Sequence, residues 1–164
     1  MRNRCPICNA ALVEAWGPIK SEILLLGEFP GKEEVREGRP WVGKAGEVLR
    51  NEFGRLGRSV DTMRSTNLWL HKPSKECDPN WHFDHAFKEL AGKKAVLLIG
   101  SEVADLFLEV PISDCTGLRV KSKMLPKTVK VAVASYNPAQ AMYGGLGEVR
   151  LAVERFVKLI EGIR

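Results

Sequence analysis

Short apolar segments that alternate with amphipathic ones constrain the fold of this chain more than any other feature. Residues 23–26 and 95–99 contain only Ile, Leu, Val and Ala, as expected of strands buried on both faces of a parallel sheet. The pattern predicts strands at 22–26, 65–70, 95–99 and 129–134, and helices at 44–56, 81–90, 101–108 (with Ser101 as N-cap) and about 148–160. The predicted fold class is therefore α/β, a three-layer α/β/α sandwich with a central, mainly parallel four-stranded sheet.

The length and composition indicate one soluble domain. With 164 residues, 45% of them hydrophobic and 27% charged, the chain can form a core of its own. The sequence contains no repeat or linker, so we predict a single domain over 1–164 with an N-terminal metal-binding arm over 1–20. The apolar runs are too short to span a bilayer, and the first residues lack the apolar core of a signal peptide. We therefore expect a cytoplasmic protein, monomeric and without membrane contact.

The four cysteines point to a metal centre. Cys5 and Cys8 form a Cys-x-x-Cys knuckle, while Cys77 and Cys115 stand alone in the sequence. A chain with no export signal is not expected to form disulfides, so metal binding is the leading use of such a knuckle. Knuckles of this kind hold either zinc or an iron–sulfur cluster.

The segments that follow the predicted strands carry the unusual polar residues. Ligands of parallel α/β sheets bind at the carboxyl ends of the strands, where the sequence places Glu28 and Asn137. The loop after the first strand is rich in glycine, which lets backbone amides approach a ligand. It is not a phosphate-binding loop, because Gly43-Lys44-Ala45 lacks the hydroxyl residue that follows the lysine in that motif.

These loops resemble the motifs of the family 4 uracil-DNA glycosylases. Residues 27–31, Gly-Glu-Phe-Pro-Gly, and 38–46, Gly-Arg-Pro-Trp-Val-Gly-Lys-Ala-Gly, are similar to the family's Gly-Glu-Ala-Pro-Gly and Gly-Arg-Pro-Phe-Val-Gly-x-Ala-Gly. Residues 66–67, Thr-Asn, resemble its Thr-Asn motif, and 136–139, Tyr-Asn-Pro-Ala, fall where the family has His-Pro-Ser. The resemblance covers nearly the whole chain in the right order and implies the removal of uracil or a related altered base from DNA.

The resemblance implies catalytic roles for Glu28 and Asn137. Glu28 matches the family's motif glutamate and would stabilise the positive charge that develops on the sugar as the N-glycosidic bond breaks. Asn137 stands where family 4 has histidine, although the mismatch-specific branch of the superfamily also has Asn-Pro. An amide can still donate a hydrogen bond to the departing base, but the substitution leaves the identity of the base and the rate open.

The resemblance also implies a base pocket formed by Gly27, Phe29, Glu34, Trp41 and Asn67. Asn67 would pair with the edge of a flipped uracil, and Trp41 would stack on its face. Glu34 matches a family glutamate that helps to exclude the methyl group of thymine. The ordinary alternatives are a turn-closing asparagine, a core tryptophan and a solvated loop charge.

Contacts with DNA outside the pocket are expected near the last motif. Met142 and Tyr143 fall where the family inserts an apolar wedge into the duplex; the alternative is a hydrophobic lead-in to the last helix. The net charge is +5, and four lysines precede the wedge in the sequence: Lys121, Lys123, Lys127 and Lys130. The net charge alone indicates no more than a solvated basic surface, whereas the lysines together with the wedge residues favour a polymeric substrate.

By the same resemblance the metal ligands are Cys5, Cys8, His71 and Cys77. Family 4 enzymes place two cluster ligands before the first strand and a third directly after the Thr-Asn strand, where this chain has His71. Cys77 lies a few residues before the position of the fourth ligand, and Cys115 is the rival. The resemblance favours a [4Fe–4S] cluster, whereas three cysteines with one histidine suit zinc at least as well.

The leading functional hypothesis is a DNA glycosylase that flips an altered base out of DNA and hydrolyses its N-glycosidic bond. One rival is a DNA-binding protein of the same fold with reduced catalysis, suggested by Asn137. Another is a pocket that processes free nucleosides or nucleotides. The presence of Glu28 together with Asn67 argues against a simple loss of catalysis.

Overall fold

The fold is built on four parallel strands, seen in a computed structural model that describes residues 2–163. Met1 and Arg164, the two ends of the predicted domain 1–164, lie outside the described residues. The strands are β1 (Ile23–Gly27), β2 (Arg64–Asn67), β3 (Ala95–Ile99) and β4 (Val131–Ser135), in the order β2-β1-β3-β4. Every pairing between them is parallel, and this confirms the predicted sheet.

Helices connect and cover the strands. They are α1 (Lys32–Glu37), α2 (Lys44–Arg55), α3 (Pro79–Leu90), α4 (Ser101–Leu108), α5 (Ile112–Cys115) and α6 (Leu146–Glu161), with 3-10 segments at Val60–Thr62 and Pro138–Tyr143. Gly100, and not Ser101, is the N-cap of α4. Among the described residues, no helix has both the length and the apolar character that crossing a membrane requires.

The core lies in two layers, one on each face of the sheet, because successive side chains of a strand point in opposite directions. Leu25 belongs to the layer that contains Phe53 of α2 and Phe156 of α6. Leu24 belongs to the opposite layer, together with Phe107 of α4. Each of these side chains is almost fully buried and stabilises the fold by about 1.5–3 kcal/mol. The layers are those of the predicted α/β/α sandwich.

Irregular chain covers both edges of the sheet. On the β2 edge, the N–H of Trp16 donates to the carbonyl of Ser65 at 2.9 Å, and the N–H of Ser65 donates back at 2.8 Å. On the β4 edge, the N–H of Val120 donates to the carbonyl of Ala132 at 2.8 Å. The segment before β1 is thereby attached along the outer strand β2.

The strand order determines where a ligand can bind. The chain passes from β1 to β2 on one side and returns to β3 on the other, so the switch point lies between β1 and β3. Open α/β sheets bind ligands beyond the carboxyl ends of the strands at such a point. In this chain those ends are followed by Glu28 and Gly100.

Candidate active site and metal centre

A cavity of about 180 Å³ opens at the carboxyl ends of the strands. It is smaller than the roughly 300–1,000 Å³ of sites that take drug-sized ligands, so it suits a single ring. Its walls are Glu28, Phe29, Pro30, Gly31, Glu34, Trp41, Ala45, Asn67, Asn137 and Ala139. The structure thus brings together the catalytic and base-binding residues predicted from the sequence, and the remaining one, Gly27, lies against two of them.

Glu28 is held between helix α4 and the turn after β4. Its Oε2 accepts the N–H of Glu102 at 3.1 Å, and its Oε1 accepts Nδ2–H of Asn137 at 3.3 Å. An N–H at the start of a helix stabilises the charged form of a carboxylate. Glu28 can approach only because residue 100 is glycine: a Cβ there would lie 2.2 Å from Oε1 of Glu28, and its φ is +107°.

Glu28 affects the pKa of Glu102 and contacts the side-chain amide of Asn137. Desolvation raises the pKa of Glu102, and the nearby charge of Glu28 adds to the shift. The amide of Asn137 is fixed at both ends, because its Oδ1 accepts the N–H of Ala139 at 3.0 Å and this directs Nδ2 towards Glu28. The sequence did not indicate Glu102 or Gly100 as neighbours, since both come from a helix start that is distant in the chain.

Asn67 lines the cavity with its side chain. It is the last residue of β2 and is only 4% exposed, yet its side chain makes no hydrogen bond within the part of the chain that the structure describes. Buried polar side chains are normally paired, so this amide is suited to a ligand. A Cβ on Gly27 would lie 2.4 Å from Oδ1 of Asn67 and 3.0 Å from the ring of Trp41, so the lack of a side chain at Gly27 makes room for both.

Trp41 has a backbone conformation that residues other than glycine rarely adopt, with φ of +60°. Gly46 allows it, because a Cβ there would lie 2.1 Å from the carbonyl oxygen of Trp41. Arg50 Nε donates to the same oxygen at 2.9 Å. The ring packs in the core layer with Phe53 and also lines the cavity. Its buried Nε1 has no hydrogen-bond partner among the described residues.

Glu34 organises the loop that forms one wall of the cavity. Its carboxylate accepts the N–H of Gly31 at 3.0 Å, of Val42 at 2.9 Å and of Gly43 at 2.5 Å. These contacts join the start of α1 to the start of α2. Phe29, on the same loop, is 42% exposed at the mouth of the cavity.

The predicted wedge and the lysines lie at opposite ends of β4. Met142 and Tyr143 are 53% and 82% exposed on the 3-10 segment that follows the cavity residue Asn137. The lysine-rich stretch 121–130 is exposed at its four lysines and precedes β4. Because the strand runs from the lysines towards the cavity, these charges do not line it.

A second cluster of side chains lies where the N-terminal segment meets the loop after β2. Ligand atoms of Cys5, Cys8, His71 and Cys77 all lie within 4.8 Å of one another. Sγ of Cys77 is 3.4 Å from Sγ of Cys5 and 3.6 Å from Sγ of Cys8, while Nε2 of His71 is 3.2 Å from Sγ of Cys8. The predicted set is thus assembled, and it could hold a metal.

Cys115, the rival ligand, lies elsewhere. It ends α5, and its thiol donates to the carbonyl of Pro111 at 3.6 Å. Burial raises the pKa of this thiol, and the charge of Asp114 adds to the shift. It is therefore outside the four-residue cluster.

The electrostatics of the cluster differ from one thiol to the next. Burial raises the pKa of Cys77 to about 12, and the neighbouring sulfurs of Cys5 and Cys8 add to the shift. Although burial opposes it, hydrogen bonds from the backbone of Cys8 and Ile7 lower the pKa of Cys5 to about 6. Thiolate and imidazole donors of this kind are compatible with an iron–sulfur cluster as well as with zinc.

The fold and the cavity together define a class. This is a parallel-sheet α/β protein with a ring-sized cavity at the carboxyl ends of its strands, where a carboxylate and two amides meet. The chain matches the uracil DNA glycosylase superfamily over residues 14–160 and belongs to that family. The matched span begins after Cys5 and Cys8, so the knuckle lies outside it.

Individual relatives carry the same family name. The chain is 29% identical over 140 residues to a type-4 uracil-DNA glycosylase of Archaeoglobus fulgidus, covering 77% of this chain and 70% of the relative. It is 30% identical over 137 residues to that of Sulfurisphaera tokodaii, covering 76% and 62%. It is 42% identical over 66 residues to that of Saccharolobus solfataricus, covering 38% and 30%. The chain therefore spans less than two thirds of the length of some of these relatives.

Proposed function

We propose that this protein is a DNA glycosylase that removes uracil or a closely related base from DNA. The observation that carries the proposal is that the side chain of Asn67 lines the same ring-sized cavity as the Glu28–Asn137 pair. A side-chain amide offers one donor face and one acceptor, which match O4 and N3–H of uracil. A base within a duplex can reach this cavity only if it is flipped out of the helix.

The two polar residues opposite Asn67 supply the chemistry. As the bond between C1′ and the base nitrogen breaks, the electron pair leaves with the base and the sugar becomes positively charged. Glu28 stabilises that positive charge and orients the water that adds to C1′. Asn137 donates Nδ2–H towards the departing base. The water that adds to C1′ loses a proton and the departing base anion takes one up, so the products are an abasic site and the free base.

The remaining predicted residues hold the base and the DNA. Trp41 presents its ring to the base, and Glu34 maintains the loop that carries Phe29. Met142 and Tyr143, exposed beside the cavity, are suited to fill the gap that a flipped base leaves in the duplex.

The metal cluster acts in this proposal as a structural tie. When bound, a metal at Cys5, Cys8, His71 and Cys77 would join the arm 1–20 to the loop after β2, so that 1–164 behaves as a single domain. The family resemblance favours a [4Fe–4S] cluster there, and the donor set allows zinc. No catalytic step requires the metal, because the cavity residues supply the carboxylate and the amides.

The test is excision from a panel of oligonucleotides. Single- and double-stranded DNA carrying uracil or other altered bases is incubated with the pure protein, and abasic sites are cleaved with alkali. Cleavage at uracil supports the proposal. Binding to DNA without excision of any base would favour the DNA-binding rival, and release of bases from free nucleosides alone would favour the nucleoside-processing rival.

A further inference from the structure

The four side chains of Cys5, Cys8, His71 and Cys77 do not fit the [4Fe–4S] cluster that the family resemblance implies, because their ligand atoms lie too close together. We propose that Cys5, Cys8, His71 and Cys77 bind one zinc ion in a tetrahedral site, and not a [4Fe–4S] cluster. The inference is independent of the proposed function, since it rests only on the geometry of these four residues.

The distances among the ligand atoms match a single ion. Zinc lies about 2.3 Å from thiolate sulfur and about 2.0–2.1 Å from imidazole nitrogen, so tetrahedral ligands lie about 3.8 Å (sulfur to sulfur) and about 3.5 Å (sulfur to nitrogen) apart. Two of the three sulfur–sulfur separations are 3.4 and 3.6 Å, and two of the three sulfur–nitrogen separations are 3.2 and 3.4 Å. The remaining pairs lie within 4.8 Å. In a [4Fe–4S] cluster each protein ligand bonds a different iron, so the ligand atoms must stand much further apart than this.

The tautomer of His71 is the one that a metal ligand requires. Its Nδ1 lies 2.7 Å from the carbonyl of Lys72, which can only accept a hydrogen bond, so Nδ1 carries the proton. Nε2 then has a free lone pair, and it points at Cys8 and Cys77. A backbone carbonyl that fixes the second nitrogen in this way is typical of histidines that bind metal.

Metal content decides between the two centres. Protein without a histidine tag is purified anaerobically from cells supplied with excess iron and, separately, with excess zinc, so that loss of a cluster in air cannot mislead. We expect one zinc per chain in both preparations, no iron–sulfur absorbance and no acid-labile sulfide. Replacement of zinc by Co²⁺ should give the visible ligand-field spectrum of a tetrahedral site with thiolate ligands.

Variants identify the fourth ligand. His71→Ala should lose zinc at least tenfold more readily to a chelator, while His71→Cys should retain it. His85→Ala is the matched control, because His85 lies nearby on α3 and contacts the carbonyl of Trp81 but is outside the four-atom set. Stoichiometric iron and sulfide would overturn the proposal. So would metal-free folded protein with four free thiols, or a disulfide between Cys5 and Cys77.

Discussion

Nε2 of His82 lies 3.5 Å from Sγ of Cys77, and the backbone determines which of the two atoms donates. The N–H of Leu70 donates to Nδ1 of His82 at 3.1 Å, so the ring proton is on Nε2. Burial lowers the pKa of His82 to about 4, and the neighbouring His71 adds to the shift, so the ring is neutral at physiological pH. A neutral ring in this tautomer cannot bind metal through Nε2 and instead donates a hydrogen bond to the sulfur.

This hydrogen bond should strengthen metal binding at Cys77. His82→Phe keeps a ring beside Trp69, whose centroid is 4.8 Å away, but it removes the N–H. We expect the metal to be lost about 10- to 100-fold more readily, as for other groups that orient metal ligands. Competition with a chelator measures this, and circular dichroism checks that the variant folds. Retention equal to that of the unsubstituted protein would exclude the hydrogen bond to Cys77.

Asn67→Asp should change which base the cavity accepts. The aspartate presents only acceptors, so O4 of uracil loses its donor, whereas the exocyclic amine of cytosine gains an acceptor. Uracil excision should fall by about 1–3 kcal/mol or more in transition-state stabilisation, the range of a bidentate base contact. Single-turnover rates on matched uracil and cytosine oligonucleotides measure it. An unchanged uracil rate would remove Asn67 from base recognition.

Glu28→Gln should slow excision far more than it weakens DNA binding. It keeps the shape of the side chain but removes the charge that stabilises the sugar, so we expect a loss of about 10²–10⁴ in rate. Asn137→Asp is the companion variant, because it keeps the acceptor for the N–H of Ala139 while removing the donor. Losing that donor should cost about 10²–10³, and Asn137→His should keep or raise the rate on uracil. Single-turnover rates and dissociation constants on one oligonucleotide are compared; equal rates for Glu28→Gln and the unsubstituted protein would refute the mechanism.

The Arg64–Glu89 pair should make stability depend on pH. Arg64 donates to both carboxylate oxygens of Glu89, at 2.8 and 2.9 Å, and to the carbonyl of Gly17 at 2.7 Å. Its guanidinium lowers the pKa of Glu89 in the folded protein. The stabilisation is therefore present above the unfolded value, about 4.3, and is lost as pH falls through the lower folded value.

Glu89→Gln should accordingly lower the free energy of unfolding by about 1–3 kcal/mol at pH 7. The difference from the unsubstituted protein should shrink as the pH falls below about 4. Urea unfolding at several pH values measures it. Glu22→Gln is the control, because its ion pair with Lys94 is about half exposed and should contribute about 0–1 kcal/mol. A difference that persists at low pH would contradict the assignment to Arg64.

The lysine-rich segment before β4 should bind DNA without affecting catalysis. Residues 115–147 contain no acidic side chain, and their five basic residues equal the net charge of the chain, +5. Lys121, Lys123 and Lys127 changed together to Gln should weaken binding to undamaged duplex and reduce the slope of log affinity against log salt by up to about 3. The excision rate on a saturating short oligonucleotide should not change.

The control triple is Lys20, Lys75 and Lys88 changed to Gln, which removes the same charge from other exposed positions. Binding and its salt dependence are measured by fluorescence anisotropy. An equal loss in the control would mean that only the total charge matters, and no loss in either would exclude this surface.

The sequence predicted β1, β3 and β4 well because these strands consist almost entirely of apolar residues. Ala95–Ile99 is observed with the predicted bounds, whereas β2 ends at Asn67 and not at Leu70. The N–H groups of Leu68 and Trp69 donate to the carbonyls of Gly27 and Glu28 at 2.9 Å, but consecutive residues of a strand do not both bond the same neighbour, so the strand geometry has ended. The sequence does not predict helix α1, because none of its residues is buried and it therefore has no apolar period.

The sequence predicted the site residues that belong to recognisable motifs. It did not predict those that reach the site only because the fold brings distant segments together. Glu28 and Asn137 each follow a strand and Asn67 belongs to the Thr-Asn motif, so the sequence indicated all three. His82, Gly100 and Glu102 became visible only in the fold: no local pattern separates a histidine that supports a metal ligand from any other residue of an amphipathic helix.

The backbone pairing of Trp16 with Ser65 bears on whether the protein self-associates through the edge of its sheet. It places the N-terminal arm over the open side of β2, where an uncovered strand would present a row of unpaired N–H and C=O groups to another chain. The arm is attached further along by Val13, whose N–H donates to the carbonyl of Leu70 at 2.7 Å. Cys5 and Cys8 of the arm also lie beside His71 and Cys77 in the proposed metal site. If the proposed metal is removed, one end of this cover is freed, so metal-depleted protein should self-associate through β2 before it unfolds.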